Sequence, residues 1–166
     1  MAGRPETEHG QDAAPTTQSG DAPPASAGAR ELPRGRLTPE ELAPLYSGRT
    51  RLVERLARAE DPLRAEDVLL AAPEDEQAEA LAAHPRIGEP SEEQRGAEPE
   101  VLEELARLNE EYERRFGFRF VTFVAGRTRA EVLPELRQRL GRTRAQELET
   151  GLRALAAIAR DRWTRT

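Results

Sequence analysis

The sequence has no cysteine and no lysine, and only two histidines. Without cysteine there can be no disulfide, no thiolate nucleophile and no thiolate metal site. His9 lies in an N-terminal stretch of unusual composition, so His84 is the single imidazole in the body of the chain. A zinc or iron centre would then need a ligand set made almost wholly of carboxylates, against the preferences of both metals. No metal is expected. No apolar run approaches the ~20 residues of a membrane-spanning helix, so no membrane association is expected either. Because lysine is absent, every cation is an arginine, a pattern that reads as codon bias rather than function.

Aliphatic side chains are nearly missing from residues 1–36, which are rich in Ala, Gly, Pro, Ser, Thr, Gln and Asp. Such a stretch buries too little apolar surface to offset its ordering entropy, and it is expected to be a disordered tail. It has neither the apolar centre of a secretory signal nor the Arg-rich amphipathic pattern of a transit peptide. Residues 37–166, about 130 in number, suit one compact domain. The net charge is -6, and the tail adds little to it. An acidic folded part argues against nonspecific nucleic-acid binding. A soluble protein of a reducing compartment, the cytoplasm, is the expectation.

The body of the chain is dense in helix signals. "LTPEEL" places Thr38 as N-cap, Pro39 at the first helical position and Glu41 three residues after the cap, a capping box. Thr128 with Glu131, and Thr143 with Gln146, repeat the pattern. Ser47 is a candidate cap for the helix whose apolar face is Leu52, Val53 and Leu56. The stretch from Asp61 to His84 reads as two short helices broken at Pro73, the second ended or turned at Pro85. Val101, Leu105, Leu108 and Tyr112 recur with helical period, and Pro134 suggests a kink in a later helix. In the last helix Leu148, Leu152, Leu155 and Ala159 form a stripe, and the next position in phase is Arg162.

All four phenylalanines fall between residues 116 and 123, and Phe116, Phe118 and Phe120 alternate as a strand would. No second strand candidate exists to pair with them. The expected architecture is therefore an all-α bundle of about seven helices with one extended aromatic segment. The backbone groups of that segment must find partners, some of them on a bound polar ligand. Asn109 is expected to satisfy part of the same backbone, and Tyr112 to be core with a tethered hydroxyl.

Several residues admit two readings. His84 suits proton transfer near neutral pH, and it equally suits a helix C-terminus. Ser91, Glu93 and Gln94 form a capping-box pattern, yet Glu93 could polarise His84 and Gln94 could bind a polar ligand. Arg162 is either a fraying last-turn cation or a guanidinium turned inward for a carboxylate or carbonyl.

The ordered set is more specific than its parts. "HPRIG" at 84–88, "EQ" at 93–94, "LNEEYERRFGFRFVTFVAGR" at 108–127 and "IARDR" at 158–162 together resemble the 2-oxo-4-hydroxy-4-carboxy-5-ureidoimidazoline (OHCU) decarboxylases. The resemblance spans roughly residues 38–165 and implies an all-helical, cofactor-free carboxy-lyase of urate breakdown that converts OHCU to S-allantoin. It implies catalytic roles for His84 and Glu93. It further implies substrate contacts from Pro85, Ser91, Gln94, Arg162 and the segment Phe120, Val121, Thr122 and Phe123. A homodimer is common among such proteins. One departure stands out: only seven residues separate Pro85 from Glu93, and Ser91 precedes Glu93 by two positions rather than three. Two alternatives stay open, a noncatalytic helical adaptor and a decarboxylase of a related ureido or imidazoline acid.

Overall fold

Three threonine caps start three of the helices, each with its reciprocal partner in place. In the computed structural model, which describes residues 30–88 and 98–166, the Thr38, Thr128 and Thr143 side chains accept from the backbone N–H three residues on. Glu41, Glu131 and Gln146 reach back to the cap backbone. The elements are α1 (Pro39–Leu42), α2 (Arg51–Leu56), a 3₁₀ turn (Pro62–Arg64), α3 (Glu66–Leu70), α4 (Glu74–Ala83), α5 (Pro99–Phe116), α6 (Arg129–Leu140) and α7 (Arg144–Arg165). Seven α-helices and no strand are present among the described residues, as the periodicity predicts.

α7 is the axis of the bundle: α3, α4 and the 3₁₀ turn pack against it, while α2 lies on α4 and α5 on α6. Leu148, Leu152, Leu155 and Ala159 of α7 are buried, as are Leu52, Val53 and Leu56 of α2. α4 and α7 approach closely at Gly151. A Cβ there would stand 3.0 Å from Leu81 Cδ1, and Leu81 is itself fully enclosed.

The alternating phenylalanines lie in an extended segment buried among the helices, as expected. Phe116 closes α5, and Gly117 takes the left-handed conformation (φ 80°) that ends the helix. The chain then winds around one ring. Phe116, Phe118 and Phe120 are all buried, with centroids 4.6, 6.1 and 5.4 Å from that of Tyr112. Edge-to-face and tilted contacts of this kind add roughly 0.5–1.5 kcal/mol each beyond simple burial. Arginines satisfy the segment's carbonyls: Arg144 Nε donates to Phe116 O, Arg139 Nη1 to Val121 O and Arg127 Nη2 to Phe123 O.

Ser47 is not the cap of α2. Thr50 caps it, accepting from Val53 N, and Ser47 sits in the left-handed region at φ 63° with its hydroxyl turned elsewhere. α6 runs through Pro134 without interruption. Residues 30–36, which composition groups with the tail, lie along the end of α7 and the 3₁₀ turn. The Trp163 indole donates to Glu31 O, Arg30 stacks 3.9 Å over the Trp163 ring, and Arg64 donates to Pro33 O.

Candidate active site

α4 ends at Ala83, and His84 is its C-cap with extended backbone (φ -71°, ψ 141°), as expected of a residue before proline. Its Nδ1 lies 3.0 Å from Pro85 O. A carbonyl only accepts, so Nδ1 carries the hydrogen and Nε2 keeps its lone pair. Nε2 is buried and has no hydrogen-bond partner among the described residues, a costly state for a core histidine if nothing else meets it.

Three contacts hold the loop that carries this ring. Arg119, from the aromatic segment, donates to His84 O at 2.8 Å. Arg86 makes a two-pronged pair with Glu113 of α5, 2.7 Å on each limb, and Glu113 is also 3.9 Å from Arg119. Asn109 Nδ2 donates to Ile87 O at 3.0 Å. The expected duty of Asn109 toward the aromatic segment is thus corrected: it pins the histidine loop instead. Tyr112 is tethered as expected, donating to Glu147 Oε2 at 2.5 Å.

Arg162 points inward. Its Nη1 donates to Leu45 O at 2.8 Å, to Pro44 O at 3.3 Å and to Ser47 Oγ at 2.7 Å. This contact explains the backbone of Ser47, whose hydroxyl holds the guanidinium rather than capping α2. Nε and Nη2 of Arg162 have no protein partner among the described residues. Arg162 also lines a cleft of ≈ 820 Å³ beside Leu45 and Trp163. His84 is not in that lining, so the cleft is the outer side of Arg162.

Burial lowers the proton affinity of His84 below the ordinary 6.5. The Arg162 and Arg119 charges push the same way, and only the Pro85 carbonyl opposes them. The imidazole is therefore neutral at pH 7, with its lone pair on the buried Nε2. Burial also lowers the Arg162 pKa, with Arg165 adding to the effect and Asp161 opposing it. A guanidinium remains charged regardless.

The structure joins the His84 loop to the aromatic segment through Arg119, and the Arg162 charge acts on the His84 ring. The N–H groups from Phe118 to Val124 donate to no protein acceptor among the described residues. Phe123 is exposed, while Phe120 and Val121 are buried and Thr122 Oγ1 donates to Glu135. Ser91, Glu93 and Gln94 lie outside the described residues. Among the described residues, no group of three His, Asp or Glu side chains is placed to hold a metal ion.

Arg119, Glu113 and Ser47 are absent from the residues that sequence reasoning singled out for the site. Arg119 and Glu113 carried a usable signal, since both fall inside the aromatic block. Nothing local marks Ser47, which meets Arg162 across most of the chain.

A neutral buried imidazole ends α4 on an all-helical scaffold, with the Arg119 guanidinium on its own carbonyl. The family described as OHCU decarboxylase matches residues 49–164, and the chain belongs to that family of carboxy-lyases. A crystal structure of OHCU decarboxylase in the presence of (S)-allantoin is similar at 27% identity and a TM-score of 0.60. It covers 69% of this chain and 88% of that one. A structure of (S)-allantoin synthase shares the fold, at 24% identity and a TM-score of 0.56. The match covers 76% of this chain and 50% of that one, so this chain accounts for half of that protein's length. No curated protein matches the sequence significantly.

Proposed function

We propose that this chain decarboxylates OHCU to S-allantoin with His84 as its acid–base group. The observation that carries this reading is the buried Nε2 of His84, without a partner among the described residues and under the charge of the inward-turned Arg162. Breaking the bond to the carboxylate sends its electron pair into the conjugated C=N of the substrate ring, so the substrate is its own electron sink. The carboxylate plus one proton then gives product plus carbon dioxide. Nε2, an acceptor, takes the hydrogen of the substrate hydroxyl, and the resulting imidazolium delivers a proton to one face of the ring carbon that bears the ureido group. Delivery from one fixed side sets the configuration.

Arg162 offers Nε and Nη2 to the substrate carboxylate or a ring oxygen, a charge-assisted contact. The N–H groups of Phe120, Val121, Thr122 and Phe123 offer fixed donors to the remaining oxygens. Pro85 contributes its carbonyl, which selects the tautomer of His84. Since Nδ1 is already engaged there and Nε2 is an acceptor, Glu93 acts on the substrate hydroxyl, while Gln94 and Ser91 hydrogen-bond the substrate. Together these contacts restrict rotation of the carboxylate relative to the ring.

The test mixes the protein with freshly generated 5-hydroxyisourate and its hydrolase and follows allantoin by circular dichroism. Faster formation of the S enantiomer is expected; racemic product at the spontaneous rate would overturn the reading.

The electrostatics give a second expectation. The base must be neutral, so activity falls as pH drops through the His84 pKa, which lies below 6.5. Folding is linked with the same sign: stability is fully present above 6.5 and declines as pH falls through the lower folded value. Replacing Arg119 with glutamine removes a charge that opposes protonation. The acid limb of the kcat/KM profile should move to higher pH; an unmoved limb would mean that the Arg119 charge does not reach the ring.

A further inference from the structure

The most deeply buried charges of the molecule lie outside the substrate contacts described above. Glu147 is 0% and Arg139 3% exposed. Arg139 Nε donates to Glu147 Oε2 at 2.7 Å, and the Tyr112 hydroxyl donates to the same oxygen. Arg142 pairs with the other oxygen at 3.1 Å. A buried pair of this kind rarely outperforms apolar residues of equal volume, so packing alone does not account for it.

Its reach toward the aromatic segment does. Arg139 Nη1 donates to Val121 O at 2.9 Å and to Glu135 Oε1 at 3.2 Å, and the guanidinium lies 4.5 Å over the Phe120 ring. Glu135 accepts from the Thr122 hydroxyl at 2.8 Å and from Arg127 at 2.7 Å. Arg127 in turn donates to Phe123 O at 2.8 Å. Four consecutive residues are therefore held, each by a different contact, in a chain of charges that ends at Glu147. These contacts occupy two carbonyls, a ring face and a hydroxyl. They leave the N–H groups of the same residues without an acceptor among the described residues.

We infer that Glu147 and Arg139 are positioning residues for the decarboxylation. Anchored between α6 and α7, the pair fixes residues 120–123 so that their N–H groups meet the substrate and its ring presents one face to His84. This rests on the function proposed above. Neither side chain touches substrate, so their effect is read in rate and in product handedness. A displacement of the segment by ~1 Å would cost on the order of 100-fold in kcat/KM.

The test compares the wild-type chain with Glu147→Gln, Arg127→Gln and the double variant Glu147→Gln/Arg139→Met. Each is measured for thermal unfolding, for kcat and KM on OHCU, and for enantiomeric excess of allantoin. Glu147→Gln removes the shorter of the two carboxylate contacts of buried Arg139 and leaves it only Glu135, and it is expected to be less stable as well as slow. The double variant removes both charges and should regain stability, while kcat stays on the order of 100-fold low and the product loses its S excess. Arg127→Gln cuts the chain at its partly exposed end, and lowered enantiomeric excess is expected in a normally stable protein. Recovery of wild-type rate and handedness by the double variant would overturn the inference and leave the pair a purely structural one. So would unchanged handedness in Arg127→Gln. A wild-type chain that fails to accelerate OHCU decay would instead overturn the function itself, a result distinct from both.

Discussion

Replacing His84 with asparagine should lower kcat for OHCU by on the order of 10²–10⁴-fold while leaving thermal unfolding nearly unchanged. Asparagine is the informative substitution because its amide reproduces only the Nδ1 side of the ring. It can still donate to Pro85 O, and its extended backbone at the end of α4 suits the residue. The loop also keeps the Arg119, Arg86 and Asn109 contacts, which involve the His84 and Ile87 carbonyls and the Arg86 side chain rather than the imidazole. What disappears is the lone pair on Nε2. Steady-state kinetics with circular dichroism detection would separate the two effects, and near-normal turnover by this variant would remove His84 from the mechanism.

Arg162→Lys should leave the fold standing and cost about 1.5–3 kcal/mol in kcat/KM, the usual value of a charge-assisted hydrogen bond. The reasoning is one of counting. The guanidinium spends Nη1 on the α1 turn and Ser47, and it has Nε and Nη2 left over. A lysine ammonium is a single point donor group. Satisfying the Pro44 and Leu45 carbonyls draws it away from the substrate, and reaching the substrate leaves those carbonyls behind. The loss should fall mainly on KM if Arg162 grips substrate and transition state alike, and on kcat if its grip tightens as the carboxylate leaves. Wild-type values for both constants would show that Arg162 is only a clamp on α1.

Features specified within one helical turn were legible in the sequence. The Thr38, Thr128 and Thr143 caps and the stripes of α2, α5 and α7 depend on neighbours three or four residues away, and they stand where local rules put them. Ser47 was misassigned because Thr50 offers the same local chemistry, and a contact with α7 settles which hydroxyl does what. The phenylalanine alternation fitted a strand for a similar reason. Period alone cannot show that an extended chain wraps one tyrosine and ties its carbonyls to arginines of α6 and α7. Glu147 and Arg139 were overlooked although the clue that exposed Arg162 was there. Arg139 follows Val132 and Leu136 in phase, and Glu147 precedes Gly151 and Leu155 in phase. A charge in an apolar register is a better marker than a charge in a motif, above all where about a third of residues are charged (34%).

The contact between Gly151 and Leu81 has a consequence for tolerances. Leu81 stands three residues before His84, and Gly151 shares a helix with Arg162. The lateral gauge between base and guanidinium is thus machined at a position with no side chain. One added methyl would act as a shim between α4 and α7, and over the ~16 Å of helix from residue 151 to 162 a small tilt becomes a large offset at the far end. The spacing of α4 and α7 is set by what residue 151 lacks.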